Sequence, residues 1–573
     1  MDLVNDPAVR EIWVMKSAQV GWSEILLNVI GYFVHLDPSP MLMIQPTLEM
    51  AEAFSKDRLA PMIRDTPALT GRIADPKSRD SGNTLLHKKF PGGHLTIAGA
   101  NSASGLASRP IRILLCDEID RYPASAGAEG DPFSLARKRT TAFWNRKILA
   151  GSTPTIKGQS RVEAGYLNSD QRHFEFPCPH CGEYQRLVWE QVKWSEIGLA
   201  PEEARYQCVH CGSLWTDVER REVLPRYRVV ATKPFNGIAG LHINELMSPF
   251  VSIGEMAASF VEAKKLPETL QTWINTALGE TWADTATEVE GAGLLKRREA
   301  YSKDAIPASA VMLTLGVDTQ DDRLELQLVA WGADEESWVL DHVAFRGDPG
   351  VAWNKGVWAE LTKYRQQMFA TQDGRVLTIQ ATGIDFGGHY SQHVADYAYR
   401  HRFERVFAIR GAGGQGRLVW PKRPGKTKLS KADIYTIGVD TIKDILYGRL
   451  ARVSVPGPGY IHIPAADFVD DEWCEQFTSE TKEYHKAKGR RVAVWRPKRL
   501  GIRQEAQDCW VYAYAVMRGR GIELNKLAKV LERRREAEPE AQVESAEVQV
   551  PEPLPKRVKR SRLRVARSSY LLR

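Results

Sequence analysis

Short apolar runs alternate with helix-like stretches up to about residue 170. The runs are Glu11–Met15, Pro40–Gln45, His94–Ala98, Ile111–Cys116 and Lys147–Gly151. Strands interleaved with helical periodicity predict a mostly parallel sheet in an α/β layer architecture. A Cys-rich insert follows at 174–225, then a largely helical stretch to 300 that includes Ile253–Lys265 and Leu270–Leu278. A second set of strands opens with Val311–Asp318 and Arg323–Trp331, spaced for a hairpin through Thr319–Asp322, and closes with a helix over Ile502–Met517. Beyond Gly521 come one charged helical stretch and then Pro- and Glu-rich sequence. The expected divisions are 1–173, 174–225, 226–300, 301–520 and a charged flexible tail over 521–573.

Composition narrows this picture only modestly. The chain has 573 residues, 26% charged and 43% hydrophobic, an ordinary globular balance that argues for two or three domains. The longest apolar run, Ile25–Leu36, is broken by Asn28, Gly31 and His35 and is too short to span a membrane. No apolar signal region is visible in Met1–Glu11. The formal net charge is +7, and Lys556–Arg573 carries eight Lys and Arg and no acid. The excess therefore lies in the tail, behind an acidic Pro- and Ala-containing linker from Glu532 to Glu552. Such an end serves either as a solvated tail or as an arm for docking or DNA tethering.

The first chemistry lies at the turn after the first run. Residues 14–24 read Val-Met-Lys-Ser-Ala-Gln-Val-Gly-Trp-Ser-Glu. Strand, loop and helix N-terminus is the geometry that cradles phosphate, and an ordinary strand–turn–helix shares it. Gly21 and Ser23 fit the G-x-x-x-x-G-K-[ST] pattern, but Trp22 occupies the lysine position and Lys16 stands at the head of the motif. Ile111–Cys116 then runs into Asp117 and Glu118, an acid to hold Mg²⁺ and an acid to polarise water, or else a solvated acidic turn. Leu149–Pro154 is a third strand ending, in Ser152 and Thr153, placed to sense a γ-phosphate. Three such endings on one sheet favour a P-loop-type ATPase using ATP with Mg²⁺. Arg109 is the candidate arginine finger.

Cys178-Pro-His-Cys181-Gly is followed after 26 residues by Cys208-Val-His-Cys211-Gly. Two C-x-x-C-G knuckles aim four thiolates at one tetrahedral ion, which predicts a zinc ribbon with structural Zn²⁺. His180 and His210 are then superfluous as ligands. In the second half, Asp318 and Asp385 each close a strand and Asp508 opens a late helix. That order predicts an RNase H-like nuclease whose carboxylates hold two divalent ions, Mg²⁺ or Mn²⁺, about 3.5–4 Å apart. Glu505 either assists or pairs with Arg503, and His389 is an accessory or a surface residue.

With these strings in place, the chain resembles the large subunit of phage terminases, of the lambda-like group. The resemblance rests on Met15–Ser23, Cys116-Asp-Glu118, Gly151-Ser-Thr-Pro-Thr155, Cys178-Pro-His-Cys181-Gly-Glu, Thr276-Ala-Leu-Gly-Glu-Thr-Trp282, Gly316-Val-Asp318-Thr-Gln and Glu505-Ala-Gln-Asp508-Cys. These span residues 15–517 in the family's order, and a lysine at the head of the phosphate loop is a feature of that group. The resemblance implies an ATP-driven motor that moves double-stranded DNA into a procapsid and an endonuclease that cuts the concatemer. It assigns Lys16, Gly21, Ser23 and Asp117 to ATP and Mg²⁺, Glu118 to catalysis of hydrolysis, and Asp318, Asp385 and Asp508 to the nuclease ions. Implied partners are DNA, a small terminase subunit, the portal protein and further copies in a ring, in the host cytoplasm with no membrane. Fifteen residues precede Lys16. The family has a longer stretch there, carrying the small-subunit contact and an adenine-packing element, which implies an upstream start or a shortened chain. A helicase-like or repair ATPase fused to a nuclease is the alternative reading, and a non-catalytic DNA-binding scaffold a third.

Overall fold

The computed structural model describes residues 1–73, 83–107, 109–283, 289–414, 416–426, 432–487, 490–519 and 521–537. The basic run Lys556–Arg573 lies outside them.

Seven strands form the first sheet. In spatial order they are Ile238–Ile243, Glu11–Lys16, Lys147–Ser152, Ile113–Asp117, Pro40–Gln45, Gly93–Gly99 and His87–Phe90. All neighbours are parallel except the last pair, which forms an antiparallel edge hairpin. Glu11–Lys16, Ile113–Asp117 and Lys147–Ser152 are buried at every position, as parallel strands covered on both faces are. Helix Trp22–His35 covers one face with Leu26, Leu27, Ile30 and Phe33. A second apolar cluster, with Leu114, Ile148, Ala150 and Val162, covers the other. The stretch 226–300 was expected to be helical and also holds the strand Ile238–Ile243. Six residues are too few for periodicity to separate strand from helix. That strand pairs with Glu11–Lys16, so the Cys-rich module is an insertion within the connectivity of this sheet.

The second sheet has ten strands. Its middle is the antiparallel ribbon Ser337–Arg346, Arg323–Trp331 and Met312–Thr319. Parallel strands Val376–Asp385, Val406–Ala412 and Asp433–Gly438 extend it on one side, and Ile461–Pro464 on the other. Apolar clusters lie on both faces. Helix Glu505–Gly519 crosses one face with Trp510, Ala513 and Tyr514 buried, and Trp510 and Tyr514 lie against Trp331.

The expected tail begins with ordered structure. Helix Leu524–Ala537 rests on this sheet's core through Leu524, Leu527, Ala528 and Leu531, an i, i+3, i+4, i+7 stripe. Asn525 Nδ2 donates to Asp334 Oδ1 at 2.6 Å, and Arg535 pairs with Asp373. The charges in this segment mark the outer face of a docked helix.

Candidate functional site

Lys16 ends its strand with the side chain buried, and its Nζ donates to Glu118 Oε1 at 2.8 Å. Gly21 caps helix Trp22–His35 at φ 80°, the left-handed turn that glycine takes without strain. The loop therefore ends at a helix N-terminus, where free N–H groups favour an anion. Ser23 Oγ donates to Asp117 Oδ2 at 3.4 Å, which brings a hydroxyl and a carboxylate together as a Mg²⁺ site requires. Trp22 takes no part in this. Its ring is buried against Gly151, where a Cβ would stand 2.4 Å from the ring. The position that a lysine fills in the usual motif is thus a floor contact, and the lysine of this loop, Lys16, stands at its other end.

Glu118 sits at φ 48°, a conformation that costs a non-glycine residue of order 1 kcal/mol or more. Four groups hold it there, Arg121 Nε among them at 3.8 Å from Oε2. Besides Lys16, Ser152 Oγ and Thr153 Oγ1 donate to its Oε2 at 3.2 and 3.3 Å. The Leu149–Pro154 ending therefore touches the acid directly. Burial lifts the Asp117 carboxyl above its ordinary value. Gln45 Nε2, donating to Oδ2 at 3.1 Å, opposes that, Glu118 adds to it, and Lys16 and Ser23 oppose it. In the sequence Gln45 reads only as the end of a strand, although a polar residue closing an apolar parallel strand is a readable signal. Arg109 Nη1 lies 3.4 Å from His87 Nε2 on the edge strand. That strand is five places from Glu11–Lys16 in the sheet, roughly 24 Å at 4.8 Å per strand.

The second centre is built by a repeated Gly-x-Asp. Gly316 and Gly383 are register partners on adjacent parallel strands, and the acids Asp318 and Asp385 follow each by two residues. With a period of two, all four positions face one side. A Cβ at Gly316 would lie 1.8 Å from Cys509 O, and one at Gly383 3.2 Å from Tyr512 O. The paired glycines let helix Glu505–Gly519 lie directly on the strands, and Asp508 comes with it. All three carboxylates are raised, each chiefly by burial. Burial, first, with Asp508 and Asp385 pushes Asp318 up to about 8, against a hydrogen bond from Gln320. Asp508 is lifted to about 6 by desolvation, which the Lys443 cation opposes and Glu480 and Asp385 reinforce. Asp385 is also raised, chiefly by burial. The carboxylates are spread wider than a one-ion cage: among the described residues only the four cysteines bring three or more ligand atoms within 4.8 Å.

Glu505 is engaged elsewhere. Arg323 Nη2 and Arg503 Nε donate to its Oε1 at 2.8 and 3.3 Å, in a network with Glu325. His389 is exposed and meets Asp321 at 3.1 Å. Lys443 and Glu480, which ion-pair beside Asp508, were missed. A lysine inside an amphipathic helix reads as surface in any sequence.

In the insert, Cys178 Sγ is 3.9 Å from Cys211 Sγ, and Cys181 Sγ is 4.0 Å from Cys208 Sγ. A tetrahedral Zn–S₄ shell at 2.3 Å has S···S edges of about 3.8 Å, so the donor set fits. His180 Nε2 faces Glu219 at 3.2 Å, and His210 Nε2 faces Tyr184 O at 3.3 Å, both turned to other partners. Tyr206 and Trp215 fill the small core beneath, which continues into helix Ile253–Ala263.

A family model of the ATPase domain of the phage terminase large subunit gpA matches residues 1–228, and one of the gpA endonuclease domain matches residues 238–529. The large terminase subunit of Enterobacteria phage P21 is 29% identical over 561 residues, covering 90% of this chain and 84% of that protein. That of Escherichia phage lambda is 28% identical over 555 residues, with 90% and 84% covered. A large terminase structure from the thermophilic bacteriophage D6E aligns at 11% identity and a TM-score of 0.38, over 90% of this chain and 94% of that one. The endonuclease match alone takes in more than half of the sequence, and the chain belongs to the phage terminase large subunit gpA family, enzymes of DNA packaging with an ATPase and an endonuclease domain.

Proposed function

We propose that the first sheet hydrolyses ATP with Lys16 and the Gly21 turn on the phosphates, Ser23 and Asp117 on Mg²⁺, and Glu118 as the carboxylate that orients the attacking water. Ser152 and Thr153, holding Glu118, report the state of the γ-phosphate. Lys16 and Glu118 neutralise each other at 2.8 Å, so an arriving γ-phosphate that draws Lys16 away frees Glu118 to accept a proton from water. Arg109, on the far edge of the sheet, acts on the nucleotide of a neighbouring copy in a ring. The second sheet is an RNase H-like nuclease in which Asp318, Asp385 and Asp508 hold two divalent ions, Mg²⁺ or Mn²⁺. When bound, those ions activate water and stabilise the leaving oxygen of the cut strand. Three largely desolvated carboxylates, each raised, are a poor arrangement without cations and a good one with them.

The domain division follows: an ATPase core over 1–173, a zinc ribbon over 174–225 with structural Zn²⁺ on Cys178, Cys181, Cys208 and Cys211, an ATPase continuation and linker over 226–300, and a nuclease over 301–520 extended by the helix to Ala537. The remaining tail docks or tethers. Double-stranded DNA, a small subunit and a portal protein are the partners, met in the host cytoplasm. Among the described residues no helix is long and apolar enough to cross a membrane.

The observation that carries this reading is the pair of acid centres at strand ends of two separate sheets in one chain. Glu118→Gln should stop ATP turnover while DNA cutting in Mn²⁺ persists. Asp318→Asn should abolish cutting and spare the ATPase. A folded variant that loses both activities would refute the two-centre assignment. Strand separation without packaging into proheads would favour the helicase-like alternative.

A further inference from the structure

The segment 267–283, between the two sheets, touches both sides of the nucleotide centre. Thr276 O accepts from Ala18 N of the phosphate loop at 2.7 Å. Gly279 sits at φ 63°, and a Cβ there would lie 2.7 Å from Lys16 C and Ser17 N. On the other side, Trp282 N donates to Thr155 O at 2.9 Å. Thr155 Oγ1 donates to Asp120 Oδ2 at 3.1 Å, two residues from Glu118. Close-packed contacts of this kind transmit displacement, so a shift of the loop or of the Glu118 turn displaces the segment.

One helix of the second domain, Val439–Arg452, grips the same segment. The Arg452 guanidinium lies 4.4 Å over the Trp282 ring and donates to Ala283 O at 3.0 Å. Arg449, fully buried, pairs with Glu268 and with Glu335. Nine residues before Arg452, about 13 Å along the axis, Lys443 pairs with Glu480 and stands 4.0 Å from Asp508. A cleft of about 800 Å³, lined by Thr155, Trp282, Asp444, Arg452 and Lys482, flanks the contact.

We propose that Lys443 is a positioning residue for Asp508, and that helix Val439–Arg452 carries the nucleotide state from Trp282 and Glu268 to the cutting centre by displacing it. The proposal rests on the assignment of Asp508 to the nuclease. Asp318 and Asp385 stand on strands, and Asp508 stands on a helix beside a cation, Lys443, that a third element supplies. The helix bears Lys443 near one end and the gripped arginines at the other, so rotation at Trp282 is read at Asp508.

The test measures the DNA cleavage rate of the full chain in Mn²⁺, without nucleotide and with a saturating non-hydrolysable ATP analogue. Wild type should show two rates that differ by about 5-fold or more, the usual range of a coupling between sites. Arg452→Gln should bring that ratio close to one, with nucleotide-free cutting and the ATPase rate held within about twofold. If Arg452→Gln lowers the melting temperature, Arg452→Lys stands in: it keeps the charge, loses the flat stack, and should give an intermediate ratio. Lys443→Met should lower kcat for cutting with KM for DNA unchanged, and Lys443→Arg should restore most of it. Equal rates in wild type, a wild-type ratio in the Arg452 variants, or a wild-type kcat in Lys443→Met overturns the proposal. Failure of the underlying assignment looks different, because Asp508→Asn would then cut normally.

Discussion

Replacing Gly316 by alanine adds one methyl group to the nuclease domain, and its cost follows from the geometry. The new Cβ would stand 1.8 Å from Cys509 O, 2.7 Å from Cys509 C and 2.9 Å from Ala513 N. Ordinary contact begins near 3.4 Å, so the helix must retreat by roughly 1.5 Å. No flexible side-chain end is available to yield, because the obstacle is helix backbone. The helix is also pinned from above by Trp510 and Tyr514, both essentially buried. Overpacking of this kind costs about 1–3 kcal/mol, which in a domain of this size lowers the melting temperature by about 2–12 °C. The functional effect is larger than the stability effect. Asp508 adjoins Cys509 and retreats with it from Asp318 and Asp385. At roughly 100-fold per ångström of misplacement, cleavage should fall at least about 100-fold while ATP hydrolysis, on the other sheet, holds. Gly383→Ala should be milder, since its nearest obstacles are the side-chain methyls of Ile409 at 2.5 Å and Val516 at 3.0 Å, with backbone, Tyr512 O, only at 3.2 Å. Gly448→Ala is the control: its Cβ meets no outside atom within 4 Å, so it should gain about 0.5–1 kcal/mol from helix propensity. A nicking assay and thermal melts on the three variants decide the matter. Wild-type cleavage by Gly316→Ala would show that close approach of this helix does not place Asp508.

Further outcomes are expected from the other centres. Purified protein should carry one zinc per chain by elemental analysis. Cys208→Ser should lose it and expose the module to proteolysis near Tyr206, and zinc-free protein with an unchanged melt would refute a structural ion. Asp318, raised to about 8 by burial and its neighbours, binds its proton more tightly folded than unfolded. In metal-free protein its charge therefore costs nothing near pH 4, progressively more as pH rises, and the full amount above pH 8. Asp318→Asn should accordingly melt above wild type at pH 9 and level with it at pH 4–5. An equal gap at both pH values would refute the buried-charge account. Removing Lys556–Arg573 should weaken DNA binding at low salt and flatten its salt dependence while leaving kcat for cutting unchanged.

Strands were legible in the sequence both as a continuous apolar run, in Pro40–Gln45, and as apolar–polar alternation, in Arg323–Trp331. Pro40–Gln45 and Arg323–Trp331 were placed to the residue. It was less informative where a polar residue serves a centre from within a regular element. Lys443 looks like the solvent side of an amphipathic helix, and only the three-dimensional path of Glu480 and Asp508 turns that side inward. The helix after Gly521 read as tail because its charges outnumber its leucines, yet four apolar residues on one stripe suffice to dock it.

The three acids were proposed from their order along the chain, but the close packing that brings their elements together was written in the glycines two residues before two of them. Gly-x-Asp occurs at 316–318 and again at 383–385. A strand interior penalises glycine unless another backbone must come close. Two such glycines, each two residues before an acid, state that a third element lies against both strands on the face the acids share. Asp508 then requires no special signal of its own. It is the acid in the first turn of the helix whose Cys509 and Tyr512 carbonyls meet those glycines. The same logic explains Trp22 and Gly151 in the other centre, where a missing Cβ admits a ring beside the strand end that carries Lys16. In both centres the small residue determines where the large or charged one can stand, so glycine substitutions separate positioning from chemistry more cleanly than substitutions of the acids do.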